Sequence, residues 1–209
     1  MDQAVTQVFD LYRERMAREA EQMRNRTPGL TIDDFLLAVG PHTGALLNTL
    51  VKDAGAKRIL EIGSSYGYST VWLAEAARAT GGKVVSLDVA AKKQAYGREM
   101  LEKAGLSAFV EFRTGDALEL IPQLEHGIDF VLLDCWKDVY VPCLERFHPK
   151  LAPGAVVVAD NMIQPANARQ DALAYRRAVR GKPDMTSVLL SVGSGIEVSR
   201  KAGPLDDGL

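Results

Sequence analysis

The chain has 209 residues, 47% of them apolar, which is enough for one full hydrophobic core and suits a single domain. Its 25 basic and 27 acidic residues leave a formal net charge of −2 with the signs interspersed, so there is no footprint for nucleic acid or an anionic membrane and a small-molecule partner is expected. No apolar run nears the roughly 20 residues of a membrane helix, and Met1-Asp2-Gln3 does not begin a signal peptide, so a cytoplasmic protein is expected.

Val5, Val8, Phe9, Tyr12, Met16, Ala20 and Met23 recur at helical spacing with Arg and Glu between them, predicting an amphipathic helix that ends at Thr27-Pro28-Gly29. A second helix is expected from Thr31 or Asp33, a suitable N-cap, to about Val39, where Gly40-Pro41 breaks it. A third runs from Thr43 to about Ala54. Residues 1–54 thus form a helical cover for the sheet edge or the mouth of a site; the apolar stripe equally fits a homodimer face.

Residues 58–79, RILEIGSSYGYSTVWLAEAARA, combine a short apolar run, a glycine turn and an apolar-periodic helix. This is the first strand, turn and helix of a doubly wound α/β fold, the strand being too apolar to alternate because helices cover both its faces. Gly63 and Gly67 allow a sharp turn and close approach to a ligand, with the free amides of the following helix facing the same space. A turn of this kind also packs helix on strand without binding anything. The dinucleotide pattern G-x-G-x-x-G fails at Ser65, which weighs against a pyrophosphate.

The alternation continues with a strand at 84–88, a helix over 91–104, a strand at 110–114 and a short helix from about Ala117. Then come a strand at 128–134, a helix at 139–147, a strand at 154–160 and a helix over 167–180. Two closing strands, 186–192 and 196–200, are joined through Gly193-Ser194-Gly195. The α/β core spans 58–201 as a mostly parallel, Rossmann-like sheet of seven strands with an antiparallel closing strand, and a loose tail follows over 202–209. Cys135 and Cys143, the only cysteines, show no C-x-x-C pairing, so free thiols are expected. His42, His126 and His148 lack ligand spacing; only His42 follows the segment that could line a pocket.

Ligands bind where parallel strands end. Three of these strands end in acids: Asp88, Asp134 and Asp160. Asp134 and the pair Asp160-Asn161 come from successive strands, so two carboxylates and an amide oxygen can converge, a hard donor set that suits Mg²⁺, with Ca²⁺ or Mn²⁺ as alternatives. Acids at strand ends also serve simply as solvated caps.

Glu61-x-Gly63-x-x-x-Gly67, followed by Asp88, resembles the first motif and ribose acid of class I S-adenosylmethionine methyltransferases. The stretches GDALELIPQLEHGIDFVLLDCWKDVY (115–140) and LAPGAVVVADN (151–161) narrow the likeness to metal-dependent catechol and caffeoyl-CoA O-methyltransferases, over about 39–201. The resemblance implies cofactor contacts at Val39, Glu61, Gly63, Ser65, Tyr66, Gly67, Ser69, Asp88, Asp116, Ala117, Asp134 and Trp136. It also implies a divalent metal on Asp134, Asp160 and Asn161, and Lys137 as the base that deprotonates a small phenolic acceptor. Such chemistry suits these residue types, because a cation chelated by vicinal hydroxyls stabilises the oxyanion, and a lysine becomes a base where a nearby cation and burial disfavour its charge.

Two positions depart from that pattern. Cys135 stands where the catechol enzymes have histidine, and no acid lies near Val188 to orient a catechol. Arg169, Arg176, Arg177 and Arg180 shape the segment before the closing strands, and one of them could favour an acceptor bearing a carboxylate. Competing readings are a nicotinamide oxidoreductase, a cofactor-binding module without turnover, and a metal-free transferase acting on nitrogen or a carboxylate.

Overall fold

A computed structural model describes residues 1–203, so from Pro204 onward the expected tail lies outside the described residues. Seven runs rich in Val, Ile and Leu form strands: β1 (Arg58–Ile62), β2 (Lys83–Asp88), β3 (Val110–Thr114), β4 (Ile128–Leu133), β5 (Leu151–Ala159), β6 (Met185–Leu190) and β7 (Ile196–Lys201). The helices are α1 (Gln3–Arg24), α2 (Pro41–Asp53), α3 (Tyr68–Thr80), α4 (Ala91–Lys103), α5 (Ala117–Leu120), α6 (Tyr140–Phe147) and α7 (Arg169–Arg180). One sheet contains all seven strands in the order β3-β2-β1-β4-β5-β7-β6. Only β7 runs against its neighbours, which leaves six parallel strands and one antiparallel strand, as the sequence predicts.

Strand order reverses between β1 and β4, and that switch point opens a crevice at the carboxyl ends of the strands. Alternate residues face opposite layers. Ile59, Val84, Phe130, Leu132 and Val158 pack under α1 to α4, while Leu60, Leu87, Val131, Leu133 and Val157 pack under α5 to α7. Residues 130–133 of β4 are fully buried on both faces, which is why this strand reads as an unbroken apolar run. Each such side chain contributes about 1.5–3 kcal/mol by leaving water.

Three sequence expectations change. The predicted helix from Thr31 to Val39 is only a three-residue 3-10 turn, Ile32–Asp34, after which the chain has no regular secondary structure as far as Gly40. Asp34 caps the turn by accepting from the Thr31 amide at 2.8 Å, but the Leu36 amide is drawn instead to Glu19 of α1 at 2.7 Å, and Leu37 turns to φ +47°. A tertiary contact outbids the local helix. The apolar stripe of α1 is buried through Val5, Val8 and Tyr12, whereas Ala20 and Met23 face solvent and Glu19 is buried in their place. Finally β5 starts three residues early, at Leu151 opposite Ile128, and then shifts register before Phe130 meets Val156, with Gly154 at φ +79° in the irregularity.

Helices α2 and α3 touch at Gly44, where an added Cβ would lie 2.3 Å from the Trp72 indole nitrogen. That indole stacks on Phe9 at 4.4 Å and has little room to yield. Mid-helix Gly→Ala ordinarily stabilises by up to about 1 kcal/mol. Here Gly44→Ala is expected to destabilise by about 1–3 kcal/mol in urea unfolding, the range for overpacking, and a gain in stability would contradict this packing.

Candidate active site

The turn after β1 brings the cofactor candidates together. Gly63 lies at φ +98° against the end of β4, where a Cβ would come within 1.9 Å of the Asp134 carbonyl oxygen. Gly67, at φ +86°, lets α3 approach α4, since its Cβ would meet the Gly97 Cα at 2.8 Å. Both glycines are therefore required by the chain's own packing, whatever else the turn binds. Ser65 takes φ +44°, and its amide donates to the Asp88 carboxylate at 2.7 Å. Helix α3 opens at Tyr68, and Val71 is the first to bond back across the turn, to the Gly67 carbonyl at 3.1 Å. The amides of residues 68–70 have no partner within the helix and form an anion-attracting end.

Asp88 closes β2 and accepts from Ser65 and from the Ala90 amide at 2.8 Å, using one lone pair on each oxygen and leaving acceptor capacity free. Its carbonyl accepts from Gly115 at 2.9 Å, which ties the β3 turn to it. Asp116 in that turn is exposed and caps α5 through the Leu118 amide, with Ala117 half-buried beside it. Val39, 9% exposed, comes just before α2, and its carbonyl borders Gly193 of the β6–β7 loop.

Glu61 sits beneath the turn rather than in the open space. It is fully buried and accepts from Ser69 and Thr70 at 2.6 Å and Ser86 at 2.5 Å. Ser69 is thereby committed to Glu61. Burial outweighs these three hydroxyls and raises the Glu61 carboxyl to about 7.

Across the switch point, Leu133 pairs with Ala159, so Asp134 and Asp160 follow side by side on adjacent strands. The Asp160 side chain is 2% exposed and its Oδ1 has no hydrogen-bond partner. Burial, then the charge of Asp134, raise the Asp160 carboxyl to about 7. Asp134 is also raised by burial, against the pull of Lys137. Asn161 takes φ +58° immediately after Asp160. Two desolvated carboxylates, one with an orphaned oxygen, leave this corner short of positive charge, which a cation on Asp134, Asp160 and the Asn161 amide oxygen would supply. Among the described residues, no group of three or more His, Cys, Asp or Glu gathers as a metal set; the fit rests on two acids and an amide.

Lys137 is drawn into this corner. Its Nζ donates to the Tyr140 hydroxyl at 2.6 Å and the Cys135 carbonyl at 2.9 Å, and lies 3.5 Å from Asp134 Oδ1. The Tyr140 hydroxyl in turn donates to the Leu133 carbonyl at 2.9 Å, at the end of β4. Sequence reasoning missed Tyr140, although its place three residues after Lys137 on an incipient helix is a readable signal. Trp136 is 62% exposed, a rim residue and not a core one.

Other candidates stay out of the site. Arg176 and Arg180 reach buried Glu197, at 3.2 and 2.6 Å, so neither is free for an acceptor's carboxylate. His42 and His126 are exposed and His148 meets Asp184 at 2.9 Å. Both cysteines are free thiols. No described helix is long and apolar enough to cross a membrane.

The profile of a family described as O-methyltransferase matches residues 15–202. A catechol O-methyltransferase of Niastella koreensis is 35% identical over 132 residues, 61% of this chain and 59% of that protein, so the match spans less than two thirds of that relative. A caffeoyl-CoA O-methyltransferase of Eucalyptus globulus is 31% identical over 187 residues, covering 79% of this chain and 75% of the relative. Among solved structures, TomG of Streptomyces achromogenes, an O-methyltransferase in complex with SAM, superposes with a TM-score of 0.76 at 27% identity, covering 97% of this chain and 91% of that one. An O-methyltransferase of Bacillus cereus in complex with SAH gives 0.74 at 26% identity, covering 96% and 91%.

The buried Glu61 has a pH signature with a definite sign. Its folded pKa of about 7 exceeds the unfolded value of about 4.3, so the native state keeps a proton that the unfolded chain releases. Stability is undiminished below the lower value and falls as pH rises, the loss being complete above about 7. Relative to Glu61→Gln, the wild type should lose on the order of 3 kcal/mol between pH 4.5 and 8 in denaturant titrations. A difference that stays flat across this range would contradict a desolvated Glu61.

Proposed function

The chain belongs to the O-methyltransferase family, and on that premise we propose that it transfers the methyl group of S-adenosylmethionine to a hydroxyl of a small catechol-like acceptor, assisted by a divalent cation, most simply Mg²⁺, on Asp134, Asp160 and Asn161. The observation that carries this reading is the buried, partnerless Oδ1 of Asp160 beside a second desolvated carboxylate at the switch point. The donor is supported by SAM and SAH in two structural neighbours, and the acceptor class by the names of the relatives. A nicotinamide oxidoreductase is not favoured, since the family is one of O-methyltransferases and the third glycine is missing.

The chain's own groups divide the work. The α3 amides and the turn from Gly63 to Gly67 hold the methionine end of the donor, Asp88 accepts from its ribose, and the Asp116-Ala117 turn and Val39 flank the rest. Trp136 walls the acceptor on the open side. A divalent cation bound at the acids would chelate vicinal hydroxyls and make the attacking oxygen more acidic. Lys137, positioned by Tyr140 and the Cys135 carbonyl, takes the hydroxyl proton. Transfer itself needs oxygen, methyl carbon and sulfur held in line, so positioning is the main contribution.

Labelled methyl transfer to a panel of catechols, with Mg²⁺ and then with excess EDTA, tests the reading. Activity abolished by EDTA is expected; activity that persists would detach Asp134, Asp160 and Asn161 from a metal role. Lys137→Ala should lower kcat by at least about 100-fold with SAH affinity changed no more than about twofold, and retained kcat would remove Lys137 as the base.

A further inference from the structure

A polar cluster outside the reacting corner has no role in the chemistry above. Arg15 of α1 lays its guanidinium over the Tyr66 ring, 3.7 Å from the centroid, and lies 4.6 Å from the centroid of Tyr96. Tyr66 is in the glycine turn, between Ser65 and Gly67. Arg15 Nε meets Glu19 Oε1 at 2.5 Å, with both side chains no more than 14% exposed. The other Glu19 oxygen accepts from the Leu36 amide at 2.7 Å, within the connecting strap over residues 31–40. From α1, Tyr12 also donates to the Tyr66 carbonyl at 2.7 Å, and the Tyr66 hydroxyl reaches the strap at the Asp34 carbonyl, 3.4 Å away.

These contacts join three pieces of chain that are far apart in sequence: the helix, the strap and the turn. The strap then leads through Val39 into Gly40, which adopts φ +83° and caps α2. An ion pair this dry is a poor way to gain stability, because desolvating two charges offsets their attraction and an apolar pair would serve the fold as well. What it supplies is geometry. A planar guanidinium stacks on one ring while its Nε meets one carboxylate oxygen and a terminal nitrogen reaches the Asp34 carbonyl of the strap at 3.5 Å; the other carboxylate oxygen fixes a single backbone amide of the strap.

We propose that Arg15 and Glu19 are positioning residues for the donor, a clamp that holds the strap against the Tyr66 turn so that Val39 closes over bound S-adenosylmethionine. This rests on the donor occupying the Gly63 to Gly67 turn. Neither residue touches the reacting atoms; the clamp acts through Tyr66 and Leu36.

Calorimetric titration of SAH into the full chain, with Glu19→Gln and Arg15→Lys beside the wild type, tests it. Gln keeps an acceptor for Leu36 but loses the charge, and Lys keeps the charge but loses the planar group that stacks on Tyr66. Each variant should raise the SAH Kd and the KM for S-adenosylmethionine by about tenfold or more while moving the acceptor KM by less than about twofold. SAH should protect the Phe35 to Leu37 bonds from chymotrypsin in the wild type and no longer do so in the variants. Wild-type protein that fails to bind SAH would overturn the donor reading itself, and the clamp with it. Wild-type binding with variants within about twofold of it would overturn the clamp alone. So would affinity lost only in proportion to lost thermal stability of the ligand-free variants, which is what a merely structural pair predicts.

Discussion

Gly63 and the Asp134 carbonyl come so close that no side chain could stand between them, and the site is built on that contact. Parallel strands on opposite sides of a switch point send their connections to opposite faces, which opens a crevice between their ends. Here the crevice is pinned at its base, since the Gly63 amide is held by the Leu87 carbonyl and the Asp134 amide by the Ile62 carbonyl, at 2.8 and 2.9 Å. The glycine turn and the acidic corner therefore keep a fixed spacing, which the proposed in-line transfer between two bound molecules demands.

Charge is distributed around that crevice with a purpose. Glu61 lies in the floor, buried and hydroxyl-bonded, and braces the turn through Ser69 and Thr70 of α3. Asp134 and Asp160 follow β4 and β5 with their acidity suppressed by burial, and among the described residues Lys137 is the one basic side chain that comes into ion-pair reach of either, 3.5 Å from Asp134. An apolar pair would have cost less at these positions. Two acids at this place suit the proposed function, in which a bound cation completes the corner and Lys137 takes the acceptor's proton. Tyr140 supports both, anchoring Lys137 to the carbonyl that ends β4.

Much of this was legible in the sequence because periodicity and strand-end chemistry are local signals. The βα alternation, the Gly63 turn, and the acids after β4 and β5 could all be read from spacing. What escaped depended on partners far along the chain. Thr31 and Asp34 do cap a turn, but the helix they begin is stopped by Glu19, seventeen residues earlier, which takes the Leu36 amide. Glu19 itself reads as one more solvated charge on α1 until Arg15 and the strap surround it. Glu61 belongs to the stretch that resembles a donor motif, yet its carboxyl points under the turn at Ser86 on the neighbouring strand, a direction that no motif encodes. Arg176 and Arg180, which as sequence could greet an anionic acceptor, are claimed by Glu197 in the antiparallel strand.

The central claim is that one corner of the sheet, the ends of β1, β4 and β5, holds donor and cation together. Crystals grown with SAH, an acceptor catechol and Mn²⁺, measured at a wavelength where manganese scatters anomalously, test it most directly. The account predicts a single anomalous peak within coordination reach of Asp134, Asp160 and Asn161, with SAH lying across the Gly63 turn and its ribose on Asp88. Bound SAH and catechol with no peak at those acids, or a peak elsewhere on the chain, would contradict it.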